Sequence, residues 1–485
     1  MRRPRPANRF LAAAAAGLLV LLAGPVAATA QTSQQPGSGG QLSSGRPPEG
    51  DYSRGIPPLE PKGSAPAPNV GPDKTYVPVD GASCVNSLPP EAKQEARRPW
   101  GQMMLNFEEV WRFTKGRKPD GTRVKVAVID TGVNPHPRLT NDDRLKGGGD
   151  YVANTNGLED CDGHGTAVAG IIAASLDEET GFAGVAPEAE IISIRQSSHY
   201  FKEQGGQAHA GNTTTLARAV MQAVELGADV INISEAACVP AGPHGYHGDL
   251  HAAVREAVKR NVVVVVAAGN QDGATCQANE PYADPVTLPA PAWFDDDVLT
   301  VGAIKKDGSA ASEFSIAGPW VDVAAPGTEI VTLDPSKDGT GLAVGIIDYR
   351  SRQVTPIQGT SFAAPYVAGV VALVRARFPD LDAKQVMERI ERTAQHPAGP
   401  GGWNPLIGWG LVDPMAALTA TIPEEQGITA PTLTEVPTAE LPPFQPKDWT
   451  PTVVAISGAG AGVGLLGITL FAVHAVNRSK RRTTT

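Results

Sequence analysis

Asn261-Val262-Val263-Val264-Val265-Val266-Ala267 holds five consecutive valines and has no polar residue after its first position. β-Branched side chains favour extended backbone, and a strand without polar alternation must be covered on both faces. The neighbouring segments repeat the theme. Leu250–Arg260 reads as the helix before this strand, and Val298–Ile304 and Val321–Ala324 as strands after it. Upstream, strands are expected over Arg123–Ile129, Glu190–Arg195 and Asp229–Ile233. Helices are expected over Thr166–Ser175 and Thr215–Leu226, the latter ended by Gly227. Ser361–Phe378 and Ala383–Ala394 supply two more helices. Alternating apolar strands and helices imply an α/β fold, a doubly wound parallel sheet flanked by helices. In such a sheet, reactive groups collect beyond the carboxyl ends of the strands.

The chain has 485 residues and 41 Lys+Arg against 51 Asp+Glu, a formal charge of −10. An acidic chain lacks the basic stripe of a general nucleic-acid binder, and no nucleic-acid partner is expected. Arg2, Arg3, Arg5 and Arg9, the apolar run Phe10–Ala23 and Ala28-Thr29-Ala30 together read as a secretory signal over 1–30. Residues 31–111 form an N-terminal extension, with Gln31–Asp80 dense in Pro, Gly and Ser and expected to be extended or disordered. The folded unit is expected over 112–418, followed by a Pro/Thr/Glu-rich stalk over 419–452. Val453–Val476 carries no formal charge. At ~1.5 Å per residue that run reaches ~36 Å, enough to span a ~30 Å hydrocarbon layer. Arg478, Lys480, Arg481 and Arg482 follow, so the tail 477–485 is assigned to the cytoplasm and the preceding chain to the outside of a cell membrane crossed once.

The cysteines are Cys84, Cys161, Cys238 and Cys276. An outward location permits disulfides, and four cysteines allow three pairings. Cys84–Cys161 with Cys238–Cys276 is favoured because these positions border one presumed cleft, although the sequence alone does not choose. No C-x-x-C spacing supports a zinc site, and no metal or cofactor is expected.

Three motifs lie where the sheet rule places a site. Val128-Ile129-Asp130-Thr131-Gly132-Val133 ends a strand in a carboxylate. Asp162-Gly163-His164-Gly165-Thr166 opens a helix with an imidazole. Gly359-Thr360-Ser361-Phe362-Ala363-Ala364-Pro365 opens another with a hydroxyl. Acyl transfer by serine needs a base to take the hydroxyl proton and a buried acid to orient that base. Gly163, Gly165, Gly359, Ala363 and Ala364 leave room for the three side chains to meet. Pro365 is expected to fall within the first helical turn, where no N–H partner is lost. Asn270, just past the valine strand in Ala267-Ala268-Gly269-Asn270, is placed to donate a hydrogen bond to an oxyanion.

VAVIDTGV, DGHGTAVAG, VVVAAGN and GTSFAAPYVAG resemble the signature motifs of the subtilisin-like serine proteases, in that family's order. The resemblance implies Asp130 as orienting acid, His164 as general acid/base, Ser361 as nucleophile and Asn270 as oxyanion donor. It also implies a substrate-aligning wall at Ser234, Glu235 and Ala236, opposite Ala268 and Gly269. Glu235 stands where the generic pattern has a small apolar residue, which leaves the side-chain preference open. The full layout, from signal and Pro-rich extension through Arg98-Pro99-Trp100-Gly101-Gln102 and INISEAAC to the stalk, span and basic tail, resembles the mycosins. That resemblance implies membrane-anchored proteolysis of secreted protein substrates and a second role in stabilising the type VII secretion membrane complex.

His136 reads as a loop histidine outside the chemistry. Asp160, Asp162, Asp177, Glu178 and Glu179, and likewise Asp295-Asp296-Asp297, read as solvated acidic loops rather than calcium ligands. His199, His209, His244, His247 and His251 read as solvated loop residues, and Gln196–Thr214 and Asp334–Thr355 as long loops that shape partner contacts. A Cys84–Cys161 bond would keep the extension packed on the folded unit even after a cut.

Overall fold

The computed structural model describes residues 63–242, 247–280, 282, 284–347, 353–398, 400–427 and 450–482. The segment expected to be a secretory signal, the start of the extension, His244, most of the segment expected to be a stalk and the last three residues lie outside the described residues.

A sheet of seven strands forms the centre: β1 (Lys125–Asp130), β2 (Leu145–Asp150), β3 (Glu190–Arg195), β4 (Val230–Ile233), β5 (Val263–Ala267), β6 (Leu299–Ile304) and β7 (Val323–Pro326). Their order is β7-β6-β5-β4-β1-β3-β2, and every neighbouring pair is parallel. The valine run is β5, and each of its residues is buried, as an all-apolar central strand requires. The chain passes from β1 to β2 at the sheet edge, fills the gap between them with β3, then builds β4 to β7 on the other side. The direction reverses at the β1/β4 junction, which is where a crevice opens beyond the strand ends.

The helices used below are α1 (His164–Ala173), α2 (Thr213–Glu225), α3 (Gly248–Lys259), α4 (Thr360–Arg377), α5 (Ala383–Thr393) and α6 (Thr450–Arg482). α1 packs against α4, and α2 against α3, so both sheet faces are covered. α4 is buried from Thr360 through Ala376, and its small residues let it lie close under the sheet. Asn212 and Thr215 form a reciprocal capping box on α2, and Asp382 and Gln385 do the same on α5. α6 contains one stretch, Thr452–Arg478, long and apolar enough by length and composition to cross a membrane, with mean hydropathy 1.9.

Several expectations are corrected. β2 reads Leu-Lys-Gly-Gly-Gly-Asp, which has no strand propensity, yet it pairs with β3. A Cβ on Gly147 would come within 2.6 Å of the Asn156 carbonyl, so close backbone approach explains the glycine there. The two long loops grip the chain's own extension. Ser198–Glu203 pairs with Tyr76–Pro78, so the Pro-rich segment ends in a strand, and Gly345–Ile347 pairs with Asn86–Leu88. Both favoured disulfides are present, Cys84–Cys161 and Cys238–Cys276. The extension therefore runs as a belt. Ser64 N–H reaches Asp249 Oδ1 at 3.2 Å, Tyr151 Oη donates to the Pro68 carbonyl at 2.8 Å, and the buried Trp100 Nε1 donates to the Thr328 carbonyl at 2.9 Å.

Asp160, Asp162 and Asp297 are buried, not solvated, because each carboxylate is enclosed by donors. Asp297 accepts from His251 Nε2 at 3.1 Å and Arg255 Nε at 2.8 Å. His251 is accordingly a buried residue of α3, stacked on Phe294 with centroids 4.3 Å apart. His136 is also buried. Its Nδ1 accepts from Arg138 N–H at 3.1 Å, which caps the short helix Pro137–Thr140.

Candidate active site

β1 ends in Asp130, whose side chain is fully enclosed. Asp130 Oδ1 accepts from the Thr131 N–H at 2.8 Å and lies 2.7 Å from His164 Nδ1. The carboxylate thus makes Nδ1 the protonated nitrogen and leaves Nε2 for the cleft. Close approach here depends on Gly165, where a Cβ would sit 2.1 Å from the Gly132 carbonyl oxygen and 3.1 Å from Asp130 Cβ.

His164 is the first residue of α1, and the loop before it is held by two acids. Asp160 accepts from Gly163 N–H at 2.7 Å, Thr166 N–H at 2.8 Å, Thr166 Oγ1 at 2.6 Å and Thr131 Oγ1 at 2.8 Å. It ties the end of β1 to the start of α1, and with these donors its carboxylate is a scaffold. Burial outweighs those bonds and pushes its pKa up to about 6. Asp162 accepts from Ser198 Oγ at 2.5 Å and from His199 N–H at 2.8 Å, and burial raises its pKa also. Burial alone would lower the His164 pKa. The charge and hydrogen bond of Asp130, with Glu235 and Asp160 beyond, outweigh it and raise the value to about 9.

Ser361 is the second residue of α4 and its ring neighbour Phe362 meets the His164 imidazole with centroids 5.0 Å apart. Ser361 Oγ makes no hydrogen bond among the described residues, so its hydroxyl is uncommitted and the expected bond to His164 is not formed. Gly359, at φ 142°, opens this helix. A Cβ there would lie 3.0 Å from both Ser361 Oγ and Asn270 Nδ2, so these two groups converge on one point. Pro365 is the sixth helical residue and lies in the second turn, not the first. It removes the hydrogen bond that the Ser361 carbonyl would otherwise accept.

Thr360 is the residue that sequence reasoning missed. Its N–H and Oγ1 both donate to Asn270 Oδ1, at 3.0 and 3.1 Å, and its Oγ1 accepts from Gly269 N–H at 3.1 Å. With its oxygen held from behind, the Asn270 amide must turn Nδ2 toward Ser361. Gly-Thr-Ser carried the only signal, and threonine beside a nucleophile reads as filler until the asparagine is seen across from it.

The two expected walls are adjacent. A Cβ on Gly269 would lie 3.5 Å from Ala236 Cβ. Ala268 N–H is committed to the Val301 carbonyl at 3.0 Å, and Gly269 N–H to Thr360 Oγ1, so neither amide is free for a substrate backbone. Ser234, Glu235 and Ala236 make no backbone hydrogen bond among the described residues, which leaves an extended lip beyond β4. Cys238–Cys276 joins the end of this lip to the loop after Asn270.

The Subtilase family matches residues 121–410. Mycosin-4 of Mycobacterium tuberculosis (strain ATCC 25618 / H37Rv) is 46% identical over 386 residues, 76% of this chain and 81% of that protein. The solved MycP3 protease from the type VII (ESX-3) secretion system is 41% identical with TM-score 0.68, covering 75% of this chain and 99% of that one. A chain in an intact ESX-5 inner membrane complex is 37% identical with TM-score 0.66, covering 89% of this chain and 99% of its own. The chain belongs to the subtilase family and, within it, to the mycosins, and it is a subtilisin-like serine protease.

Proposed function

We propose that the protein is a serine endopeptidase held outside the cytoplasmic membrane by α6, in which Ser361 attacks the scissile carbonyl. His164 Nε2 takes the hydroxyl proton and later gives it to the leaving amine. Asp130 holds the imidazole in that tautomer and stabilises the imidazolium. Asn270 Nδ2 and the backbone N–H at the start of α4 receive the developing oxyanion, and the α4 dipole adds positive potential there. The observation that carries this reading is the 2.7 Å Asp130–His164 bond, with Ser361 Oγ and Asn270 Nδ2 each 3.0 Å from where a Cβ on Gly359 would stand. Substrate lies as an extra strand along Ser234–Ala236, where backbone donors and acceptors are uncommitted.

The outward location rests on the signal segment, the basic residues after α6 and the two disulfides, which belong to an oxidising compartment. A role in type VII secretion rests on the relatives, and the likeness to a chain within an ESX-5 inner membrane complex favours a second reading. On that reading the chain also stabilises the secretion complex, with proteolysis dispensable. Ser361→Ala separates the two. It should leave only ~10³–10⁴-fold acceleration over water with the fold intact. If secretion continues while substrates stay uncut, binding carries the secretion role. If secretion stops with cleavage, proteolysis carries it.

A further inference from the structure

We propose that Glu235 is a specificity residue that pairs with a cationic side chain of the substrate, within about two residues of the scissile bond. The proposal rests on the protease reading above and names its substrate class.

Glu235 sits in the lip between β4 and the strand Ala237–Pro240. β4 lies between β1, which ends in Asp130, and β5, which leads to Asn270. The lip therefore lies between the strand end that carries Asp130 and the one that leads to Asn270. The carboxylate is tethered there: Ser197 Oγ donates to Glu235 Oε1, and Ser197 follows β3, with its N–H 3.4 Å from the Asp130 carbonyl. The other oxygen, Oε2, makes no hydrogen bond among the described residues, and the side chain is half-buried rather than sealed. The result is a pre-positioned acceptor whose side-chain entropy is already spent.

No lysine or arginine among the described residues pairs with it. The charged groups that act on it are Asp130 from β1, His164 from α1 and Asp162 from the loop before α1. Asp162 is itself committed to Ser198 and His199. Asp160 also acts on the imidazole, while Arg195 and His199 act on Asp162, so among the charges on Glu235 itself two carboxylates stand against one imidazole. Burial first, and then the Asp130 charge, push the Glu235 pKa up to about 7. A small apolar residue at this position, as in the generic motif, would avoid that cost. A substrate cation meets the imbalance, and an acidic residue at the same place is repelled.

The test uses the full chain and internally quenched peptides in which each position around the cleaved bond is Lys, Gln or Glu in turn. At one position Lys should exceed Gln in kcat/KM by about tenfold, the size of one charge-assisted hydrogen bond. Glu235→Gln should bring that ratio to near one, and Glu235→Lys should invert it in favour of Glu. Ratios are read because they cancel any loss of folded enzyme. The wild-type ratio should rise between about pH 6 and about pH 8, where the carboxyl ionises while lysine stays protonated, and should stay flat in Glu235→Gln. The same peptides bound to a Ser361→Ala chain, followed by fluorescence anisotropy, should rank in the same order. A Lys:Gln ratio near one at every position, or one that survives both Glu235 substitutions, overturns the proposal. Glu235-dependent binding without any turnover by the wild type would refute the protease reading and the specificity role with it, leaving only a cation-binding lip, whereas turnover with no Glu235 dependence would overturn this proposal alone.

Discussion

Thr360→Val removes one hydroxyl from behind the proposed oxyanion donor and keeps the side chain's size. Two bonds disappear: the 3.1 Å bond to Asn270 Oδ1 and the 3.1 Å bond from Gly269 N–H. The Gly269 amide is left without an acceptor, which costs about 1–3 kcal/mol of stability. Asn270 keeps the 3.0 Å bond from Thr360 N–H, so its amide loosens without being released. Deleting such a donor outright lowers kcat by ~10²–10³, a range that comes from a subtilisin, a member of this same family, and not from this chain. Losing one of two tethers should lower kcat by about tenfold with KM little changed, since the contact forms in the transition state. The assay is steady-state hydrolysis of a fluorogenic peptide by wild type, Thr360→Val, Asn270→Ala and the double variant. If Thr360 acts through Asn270, Thr360→Val costs nothing more once Asn270 is alanine. An equal kcat loss in both backgrounds, or an unchanged kcat in the single variant, refutes the reasoning.

The neutral imidazole is the base, and the His164 pKa is raised to about 9, so kcat/KM should climb with pH and reach half its plateau near that value. A plateau already reached at about pH 7 would contradict it. A histidine whose folded pKa lies above the unfolded ~6.5 contributes stability that is fully present below that pH and is lost as pH rises through about 9. A Ser361→Ala chain, which cannot cut itself, should show a Tm that falls across that window. Asp160→Asn puts an amide where four donors now point, and should destabilise the fold by about 3 kcal/mol while lowering kcat, read by urea unfolding and peptide turnover. Cys84→Ser with Cys161→Ser opens a bond across 77 residues and should cost ~4 kcal/mol on the chain-entropy model, read as a lower urea midpoint. In the intact protein, a chain cut between Cys84 and Asp130 should run as one mass until reductant is added.

The sheet was legible because buried parallel strands are written as unbroken apolar runs, as β5 and β1 are. β2 was not, since its glycines answer to neighbouring backbone and carry no pattern of their own. Asp130, His164, Asn270 and Ser361 stood out through short motifs whose small neighbours make sense only if backbones approach. The burial of Asp160 and Asp162 was invisible, because a run of acids reads as a solvated face unless the donors that enclose it are known. Two of those donors, Thr131 and Ser198, lie 29 and 36 residues from the acids they enclose, and Thr166 lies in the first turn of the helix that the loop leads to. The grip of two loops on the extension was hidden for a similar reason: short antiparallel pairings such as Tyr76–Pro78 with Ser198–Glu203 have no periodicity long enough to read.

The most direct test of the central claim is covalent labelling with a serine-directed phosphonate, followed by peptide mass mapping, on wild-type, His164→Ala and Ser361→Ala chains. The account predicts a single adduct on Ser361 in the wild type, strongly slowed in His164→Ala and absent in Ser361→Ala. Labelling that falls on another serine, or that proceeds at the same rate without His164, would contradict it.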